Sequence, residues 1–219
     1  MKQTIKLFDR YFDGSALVSL GYRDYVAARV LLNNKLIIQG ITLASTAVEK
    51  YLKAVIVLTL KEKERFNYHF DRIEKLQDIL DRNHHDITKN FDPVFLSILE
   101  KAFKIRYYDG LKKPVTISFY LNQFLGELDQ TIYNLEKLIN LGLAYSQAVK
   151  SKDPHLFENN FILRKQDKKE FMEKPDTAFS VYIDMCSSTQ RENTMFGSDI
   201  VNKYEGRLAV FEDPFEPKW

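Results

Sequence analysis

The chain contains very little cysteine and histidine. Cys186 is the single cysteine among 219 residues, which excludes a disulfide framework and a zinc cluster built on thiolates. Because the absence of disulfides is typical of a reducing compartment, we expect a cytoplasmic location. Two of the four histidines, His84 and His85, are adjacent, but no second ligand pair at helical or hairpin spacing accompanies them. We therefore expect neither a metal site nor a bound cofactor.

The sequence also lacks an excess of one charge and a long apolar run. Its 32 basic and 30 acidic residues give a net charge of +2, which is too balanced for nucleic-acid binding by bulk electrostatics and leaves a local basic patch open. The longest apolar run, residues 54–60, is far too short to cross a bilayer. Residues 1–12 lack the apolar core of a signal peptide. We therefore expect no membrane association.

Helical periodicity dominates the first two thirds of the chain. Apolar residues recur at intervals of three and four along residues 33–60, as expected for a core helix. Asp92 followed by Pro93 is a strong signal for the start of another helix. Residues 1–14 mix charged and aromatic side chains, end in Asp13-Gly14 and are expected to form an arm. The pattern predicts helices over residues 15–32, 35–60, 71–80, 93–106 and 117–145.

The pattern changes after residue 150. Residues 152–154 (Lys-Asp-Pro) are a linker signal, and short segments rich in Phe, Val, Ile and Tyr follow. We predict strands at residues 156–163, 178–185 and 207–211, separated by polar, irregular segments. The predicted domains are a helical bundle over residues 1–148 and a small strand-rich extension over residues 149–219. The predicted fold class is therefore an all-α, up-and-down bundle of four or five helices with a small strand-containing C-terminal extension.

Four segments resemble, in order and spacing, the HEPN family, the nucleotide-binding domain of higher eukaryotes and prokaryotes. In chain order they are residues 24–32 (DYVAARVLL), residues 43–54 (LASTAVEKYLKA), His69 with Ile73 and Leu76, and residues 105–109 (IRYYD). The last segment resembles the Arg-Tyr-Pro-acid corner of the family, with Tyr108 in place of the proline. The resemblance covers about residues 15–145.

The resemblance implies a helical bundle that forms a homodimer through its second and third long helices. Family members include metal-independent RNases, partners of minimal nucleotidyltransferases and non-catalytic binding domains. For this chain the resemblance implies a nucleotide or RNA ligand, or a protein partner such as a nucleotidyltransferase or an antitoxin. A prokaryotic phage-defence or toxin–antitoxin setting follows from the same resemblance.

The RNase members of the family carry an arginine that is followed a few positions later by a histidine. Here the next histidine after Arg106 is His155, and the interval from Arg65 to His69 is shorter than the family's spacing and lies in a different loop. General base chemistry at neutral pH normally uses a histidine. We therefore assign no catalytic residue and predict a non-catalytic nucleotide-, RNA- or protein-binding protein.

The candidate binding residues each have a structural alternative. Glu49 and Lys53 stand at i, i+4, the spacing of an ordinary helix ion pair. Arg106 holds a phosphate in the binding interpretation and pairs with Asp109 or Glu49 in the structural one. The full candidate set is Glu49, Lys53, His69, Arg106, Tyr107 and Asp109. In the structural interpretation Tyr107 packs in the core, His69 orients a loop and Asp109 caps the corner.

Two alternative functions stay open at the level of sequence. One is an RNase with a degenerate or relocated site, in which Arg106 works with His69 or with the His84-His85 pair across a dimer. The other is a structural adaptor in which residues 151–219 capture the partner. The position of the histidines relative to Arg106 separates the first alternative from the binding interpretation.

Overall fold

The computed structural model describes residues 7–60, 72–83, 89, 91–106, 114–139, 149, 151–174, 178–184, 191–196 and 209–211. Within these ranges the chain is mostly helical and forms a four-stranded antiparallel sheet. This confirms the predicted class, an all-α bundle with a small strand-containing C-terminal extension. None of the helices in the described ranges is both long and apolar enough to cross a membrane.

Seven helices and four strands make up the described part of the chain. The helices are α1 (Leu7–Asn33), α2 (Ile37–Thr59), α3 (Ile73–Arg82), α4 (Pro93–Arg106), α5 (Leu121–Ile139), α6 (Pro154–Phe157) and α7 (Lys168–Glu173). The strands are β1 (Val115–Tyr120), β2 (Ala178–Asp184), β3 (Arg191–Phe196) and β4 (Ala209–Phe211). The strand order in the sheet is β3-β2-β1-β4.

Helices α1 and α2 pack as an antiparallel pair in which glycines face large side chains. The contacts are Gly14 against Leu58, Gly21 against Tyr51 and Gly40 against Leu32, at 2.5, 3.0 and 2.6 Å from the position that a Cβ would take on each glycine. Because glycine has no Cβ, it permits this close approach of two backbones. The three contacts keep a single register along the helix pair, so the glycines define how α1 lies on α2.

The prediction for the start of α1 was wrong. Residues 7–14 continue the helix instead of forming an arm, because Gly14 is buried against Leu58 and the Asp13-Gly14 turn signal is overridden by this packing. The inward face of α1 carries the buried residues Val18, Tyr25 and Ala28, whereas Leu20 is 46% exposed.

Helix α4 has the bounds that the sequence predicts, and Asp92 begins it as expected. Its Oδ1 accepts a hydrogen bond of 2.8 Å from the backbone N–H of Phe95, which satisfies a donor of the first turn. Asp71, where the predicted third helix begins, lies outside the described residues. In the first turn of α3, the backbone N–H of Glu74 donates a hydrogen bond of 3.0 Å to Glu100 Oε1 on α4.

Strand β1 corrects the predicted helix over residues 117–145. Its sequence, VTISFY, is β-branched and aromatic, a composition that favours strands. β1 pairs antiparallel with β2, for example Ile117 with Val181, and with β4 on its other edge. The helix begins only at Leu121. The apolar residues of β1 also fit the helical spacing of α5. The sequence pattern therefore places the start of this helix too early in the chain.

The extension contains two of the three predicted strands. β2 and β4 fall within the predicted segments, whereas residues 156–163 form part of α6 and a series of turns. Residues 191–196, predicted to be irregular, form β3 and pair with β2. Their polar sequence, RENTMF, gives no apolar alternation, which is why the strand was missed.

The sheet joins the extension to the helical bundle. β1 precedes residue 149 in the sequence, and β2, β3 and β4 follow it. Aromatic rings connect the sheet to the helices: Phe119 lies 5.8 Å from Phe179 and 5.0 Å from Phe124, whose ring lies 5.1 Å from that of Phe95. The division of the chain near residue 149 stays a prediction, and described contacts cross it.

Candidate functional site

The predicted pair Glu49 and Lys53 lies where α2, α3 and α4 meet, which we call the junction site (Glu49, Lys53, Arg72, Glu100 and Phe103). Lys53 Nζ is 2.6 Å from Glu49 Oε1. The side chains of Lys53 and Glu49 are 5% and 13% exposed, so this pair is more deeply set than an ordinary surface ion pair. The helical spacing predicted from the sequence is therefore confirmed as a contact.

A second cation, Arg72, reaches the same carboxylate. Its Nη1 lies 3.7 Å from Glu49 Oε1, the oxygen that also contacts Lys53. The guanidinium carbon lies 3.7 Å from the centroid of the Phe103 ring, which is a close cation–π contact. Arg72 stands immediately before α3, and its side chain as a whole is 31% exposed.

A second carboxylate, Glu100 of α4, lies close enough to Glu49 for their negative charges to interact. Burial raises the pKa of Glu100, the hydrogen bond from the Glu74 backbone opposes this rise, and the negative charges of Glu74 and Glu49 add to it. Burial of the Glu100 charge therefore opposes the packing of α3 on α4. The junction site combines two cations with two carboxylates of different surroundings.

Glu100 should make the free energy of unfolding depend on pH. Its pKa is raised in the folded state, so the folded protein binds the proton more tightly, and this stabilisation is lost as pH rises from the ordinary value of 4.5 through the raised pKa. Glu100→Gln keeps an oxygen acceptor for the Glu74 N–H and removes the charge. We expect urea unfolding to show the variant gaining stability relative to the original protein between pH 4 and pH 7.

The matched control for this prediction is Asp78→Asn, which removes an exposed carboxylate from the neighbouring helix, α3. A stability difference between Glu100→Gln and the original protein that is the same at both pH values would contradict the assignment. So would a net loss of stability at pH 7 alone.

The remaining candidate residues are only partly placed by the structure. Arg106 is the last residue of α4, one helical turn beyond Phe103, and its side chain lies outside the described residues. His69, Tyr107 and Asp109 also lie outside them. The proposed contacts of these four residues therefore stay predictions.

Of the histidines, the described residues include His155. It is exposed, and its backbone takes part in the local fold: its N–H donates to Asp153 Oδ1 at 3.0 Å. His84 and His85, like His69, lie outside the described residues. The RNase alternative, which needs one of those three near Arg106, stays a prediction.

A second group of polar side chains is fully enclosed between α1, α5 and the segment after α6. We call it the buried polar cluster: Tyr25, Arg29, Asp129 and Asn160, all with no exposed surface. Arg29 forms an ion pair with Asp129 Oδ1. Tyr25 donates to the same oxygen at 2.6 Å, and Asn160 donates to the Tyr25 hydroxyl at 3.3 Å.

Arg29 also holds the backbone of the chain after residue 150. Its Nε lies 3.5 Å from the carbonyl oxygen of His155, and its Nη2 donates to the carbonyl of Glu158. Burial raises the pKa of Asp129, while Arg29 and the Tyr25 hydroxyl act in the opposite direction. A ligand has no access to a cluster without exposed surface, so we assign it a structural role: it fastens the C-terminal part to the bundle.

Sequence reasoning missed Arg72, Glu100 and the whole buried polar cluster. A usable signal existed for the cluster, because Arg29 and Asp129 interrupt apolar faces of α1 and α5 in the sequences AARVLL and GELDQTI. A charge on an apolar helix face requires a partner. For Arg72 no such signal exists, since a basic residue before a helix is usually solvated.

In comparisons with known proteins, no family model, no characterised protein and no solved structure matches the chain.

Proposed function

We propose that this protein is a non-catalytic binding protein that takes a nucleotide phosphate, either of a free nucleotide or of RNA, at the junction site. The observation that carries the proposal is the convergence of Lys53 and Arg72 on one carboxylate oxygen of Glu49, beside the ring of Phe103. A phosphate oxygen is recognised by the same two kinds of cation.

The guanidinium of Arg72 suits a nucleotide in two ways. Its N–H groups match the oxygens of a phosphate, and its planar faces stack on flat rings. One face lies on Phe103, 3.7 Å from guanidinium carbon to ring centroid. RNA-binding proteins also stack unpaired bases on arginine planes. Phe103 thus fixes the arginine in position, and the ligand would contact the guanidinium on the side away from this ring.

Lys53 supplies a charge of a different kind. Its ammonium group is a compact point charge, and at 5% exposure it lies at the base of the site instead of on the surface. Because electrostatic interactions strengthen as water is excluded, a phosphate held there would interact more strongly than with an exposed lysine. Two cations from two different elements, α2 and the residue before α3, give the site a defined geometry.

A purely structural role would not require Arg72 at this place. The Glu49–Lys53 pair already joins two turns of one helix, and a more exposed ion pair with Arg72 would add little to stability. The stacking of Arg72 on Phe103 adds a positioned guanidinium to this pair. That additional element favours ligand recognition over simple surface pairing.

The resemblance of the sequence to HEPN domains supports the same proposal, because that family includes nucleotide- and RNA-binding members. The residues 43–54 that carry the resemblance contain both Glu49 and Lys53. A homodimer, a defence or toxin–antitoxin setting and a nucleotidyltransferase or antitoxin partner belong to the proposal for the same reason. A cytoplasmic location belongs to it because the chain has a single cysteine.

Binding of AMP and of a fluorescein-labelled, mixed-sequence single-stranded RNA tests this proposal. We expect Arg72→Gln and Lys53→Gln each to weaken binding about tenfold, since a charge-assisted hydrogen bond contributes roughly 1.5–3 kcal/mol. For RNA, the slope of log K against log salt concentration should decrease in magnitude by about 1 for each variant, because each removes one phosphate contact. Calorimetry for AMP and fluorescence anisotropy for RNA provide the measurements.

Arg82→Gln is the matched control, because it removes the same charge from the exposed end of α3. Equal losses in Arg72→Gln and Arg82→Gln would reduce the effect to general electrostatics and reject the junction site. Cleavage of the RNA by the original protein, lost in Arg106→Ala, would reject the non-catalytic part of the proposal.

A further inference from the structure

We infer that Glu49 is an internal competitor for the junction site: in the free protein its carboxylate occupies the position of the ligand's phosphate oxygen, and the ligand must displace it. The inference rests on the proposed function and adds a means of regulating it. Its chemical consequence is that removal of the Glu49 charge should strengthen phosphate binding, whereas removal of either cation should weaken it.

The geometry places one oxygen where two cations meet. Glu49 Oε1 is 2.6 Å from Lys53 Nζ and 3.7 Å from Arg72 Nη1. An anionic oxygen at that point contacts a lysine and an arginine from two separate elements, which is the arrangement that a phosphate oxygen would require. The carboxylate is therefore an intramolecular substitute for the ligand.

The three residues are held in different ways, and this makes exchange possible. Glu49 and Lys53 belong to the same helix, α2, so the carboxylate is always close to the ammonium group. Arg72 is positioned by its stacking on Phe103, and its separation from Glu49 exceeds hydrogen-bond length. A rotation of the Glu49 side chain about its own bonds withdraws the carboxylate from both cations, and this rotation requires no movement of α2 or α3.

The exposure of the side chains gives the ligand a way in. Glu49 is 13% exposed and Arg72 is 31% exposed, so an incoming phosphate meets the arginine first and the carboxylate next to it. A site that is open for only a fraction of the time binds with an affinity reduced by that fraction. Glu49 thereby lowers the affinity for inorganic phosphate and for a nucleotide by the same factor.

The test compares the dissociation constant for AMP in the original protein and in Glu49→Gln by calorimetry. Glutamine has nearly the same size and cannot hold two cations by charge, so we expect binding to tighten about fivefold. Glu49→Ala is a second variant that removes the carboxylate without leaving an amide at the site, and it should tighten binding by a similar factor. Thermal unfolding of both variants verifies that they are folded.

Glu74→Gln is the matched control, because it removes an exposed carboxylate close to the junction site. The backbone N–H of Glu74 donates to Glu100. We expect this variant to change AMP affinity less than twofold, as an exposed charge outside the site would. Tightening in Glu74→Gln as large as in Glu49→Gln would overturn the inference, since only general charge would then matter.

The outcomes separate the inference from the proposed function. Unchanged or weaker AMP binding in Glu49→Gln, together with a clear loss in Arg72→Gln, overturns the inference and leaves the binding site intact. Absence of AMP and RNA binding in the original protein and in Glu49→Gln overturns both. Tighter binding in Glu49→Gln with a loss in Arg72→Gln supports both.

Discussion

Replacing Asp129 with alanine is expected to lower the free energy of unfolding by about 3–5 kcal/mol, the range for breaking one side of a buried ion pair. The change leaves the fully buried Arg29 without its carboxylate and removes the acceptor of the Tyr25 hydroxyl. For a chain of this size the loss corresponds to a fall of about 10 °C in the unfolding midpoint. Urea unfolding and thermal unfolding followed by circular dichroism measure both quantities.

The control for this prediction is Asp24→Ala, which removes a carboxylate from a half-exposed pair with Lys50 and should cost less than about 1 kcal/mol. A second comparison is the double variant Arg29→Met/Asp129→Leu. It removes both charges together, so it should be more stable than Asp129→Ala alone. A loss of less than about 1 kcal/mol in Asp129→Ala would show that the buried polar cluster does not fasten the fold.

Replacing Gly21 with leucine is expected to destabilise the protein by about 3 kcal/mol, at the upper end of the usual cost of overpacking. Even a single Cβ would lie 3.0 Å from the ring of Tyr51 and 3.3 Å from Lys50 Cβ. The ring cannot easily move aside, because its hydroxyl donates a 2.6 Å hydrogen bond to Glu136 on α5. The steric cost therefore exceeds the gain of about 1 kcal/mol from removing a glycine from a helix interior.

Ser19→Leu provides the matched control, since Ser19 lies on the exposed side of the same helix. It adds the same side chain with no neighbour to displace, and we expect a change within about 0.5 kcal/mol. Chemical denaturation of the two variants side by side gives the comparison. Equal stability of Gly21→Leu and the original protein would contradict the close α1–α2 contact.

The helices were the most predictable part of this fold. Asp92 followed by Pro93 located the start of α4 because capping is a local interaction between neighbouring residues. The bounds of α2 differ from the prediction by only one or two residues, as apolar spacing specifies a core helix well. Gly14, in contrast, is a turn signal in the sequence and a helical residue in the structure, because a distant side chain, Leu58, determines its surroundings.

The strands were harder to predict for the same reason. β1 is stabilised by β2 and β4, whose paired residues lie 58 to 95 positions away in the sequence, and no local pattern encodes that pairing. β3 is polar, and the backbone hydrogen bonds that pair it with β2 hold it in the sheet. Short strands whose side chains do not alternate leave no periodic signal.

The sequence could predict one contact of the candidate site. The Glu49–Lys53 ion pair follows from helical spacing, since an i, i+4 pair is a local feature, whereas the binding role of these residues came from the resemblance and stays a proposal. Arg72 was missed because its position depends on how α3 docks onto Phe103 of α4, a tertiary contact. The Arg29–Asp129 pair joins residues 100 positions apart, so the sequence could show that each needs a partner and could not show which one.

The most direct test of the central claim is the side-chain NMR signal of Arg72 during titration with AMP. The Nε–Hε resonance is assigned by its disappearance in Arg72→Lys, and Arg82, the last residue of α3, serves as an internal reference. The account predicts that the Arg72 signal shifts in proportion to AMP binding while that of Arg82 stays in place. Saturable AMP binding without a shift at Arg72 would contradict the assignment of the nucleotide to the junction site.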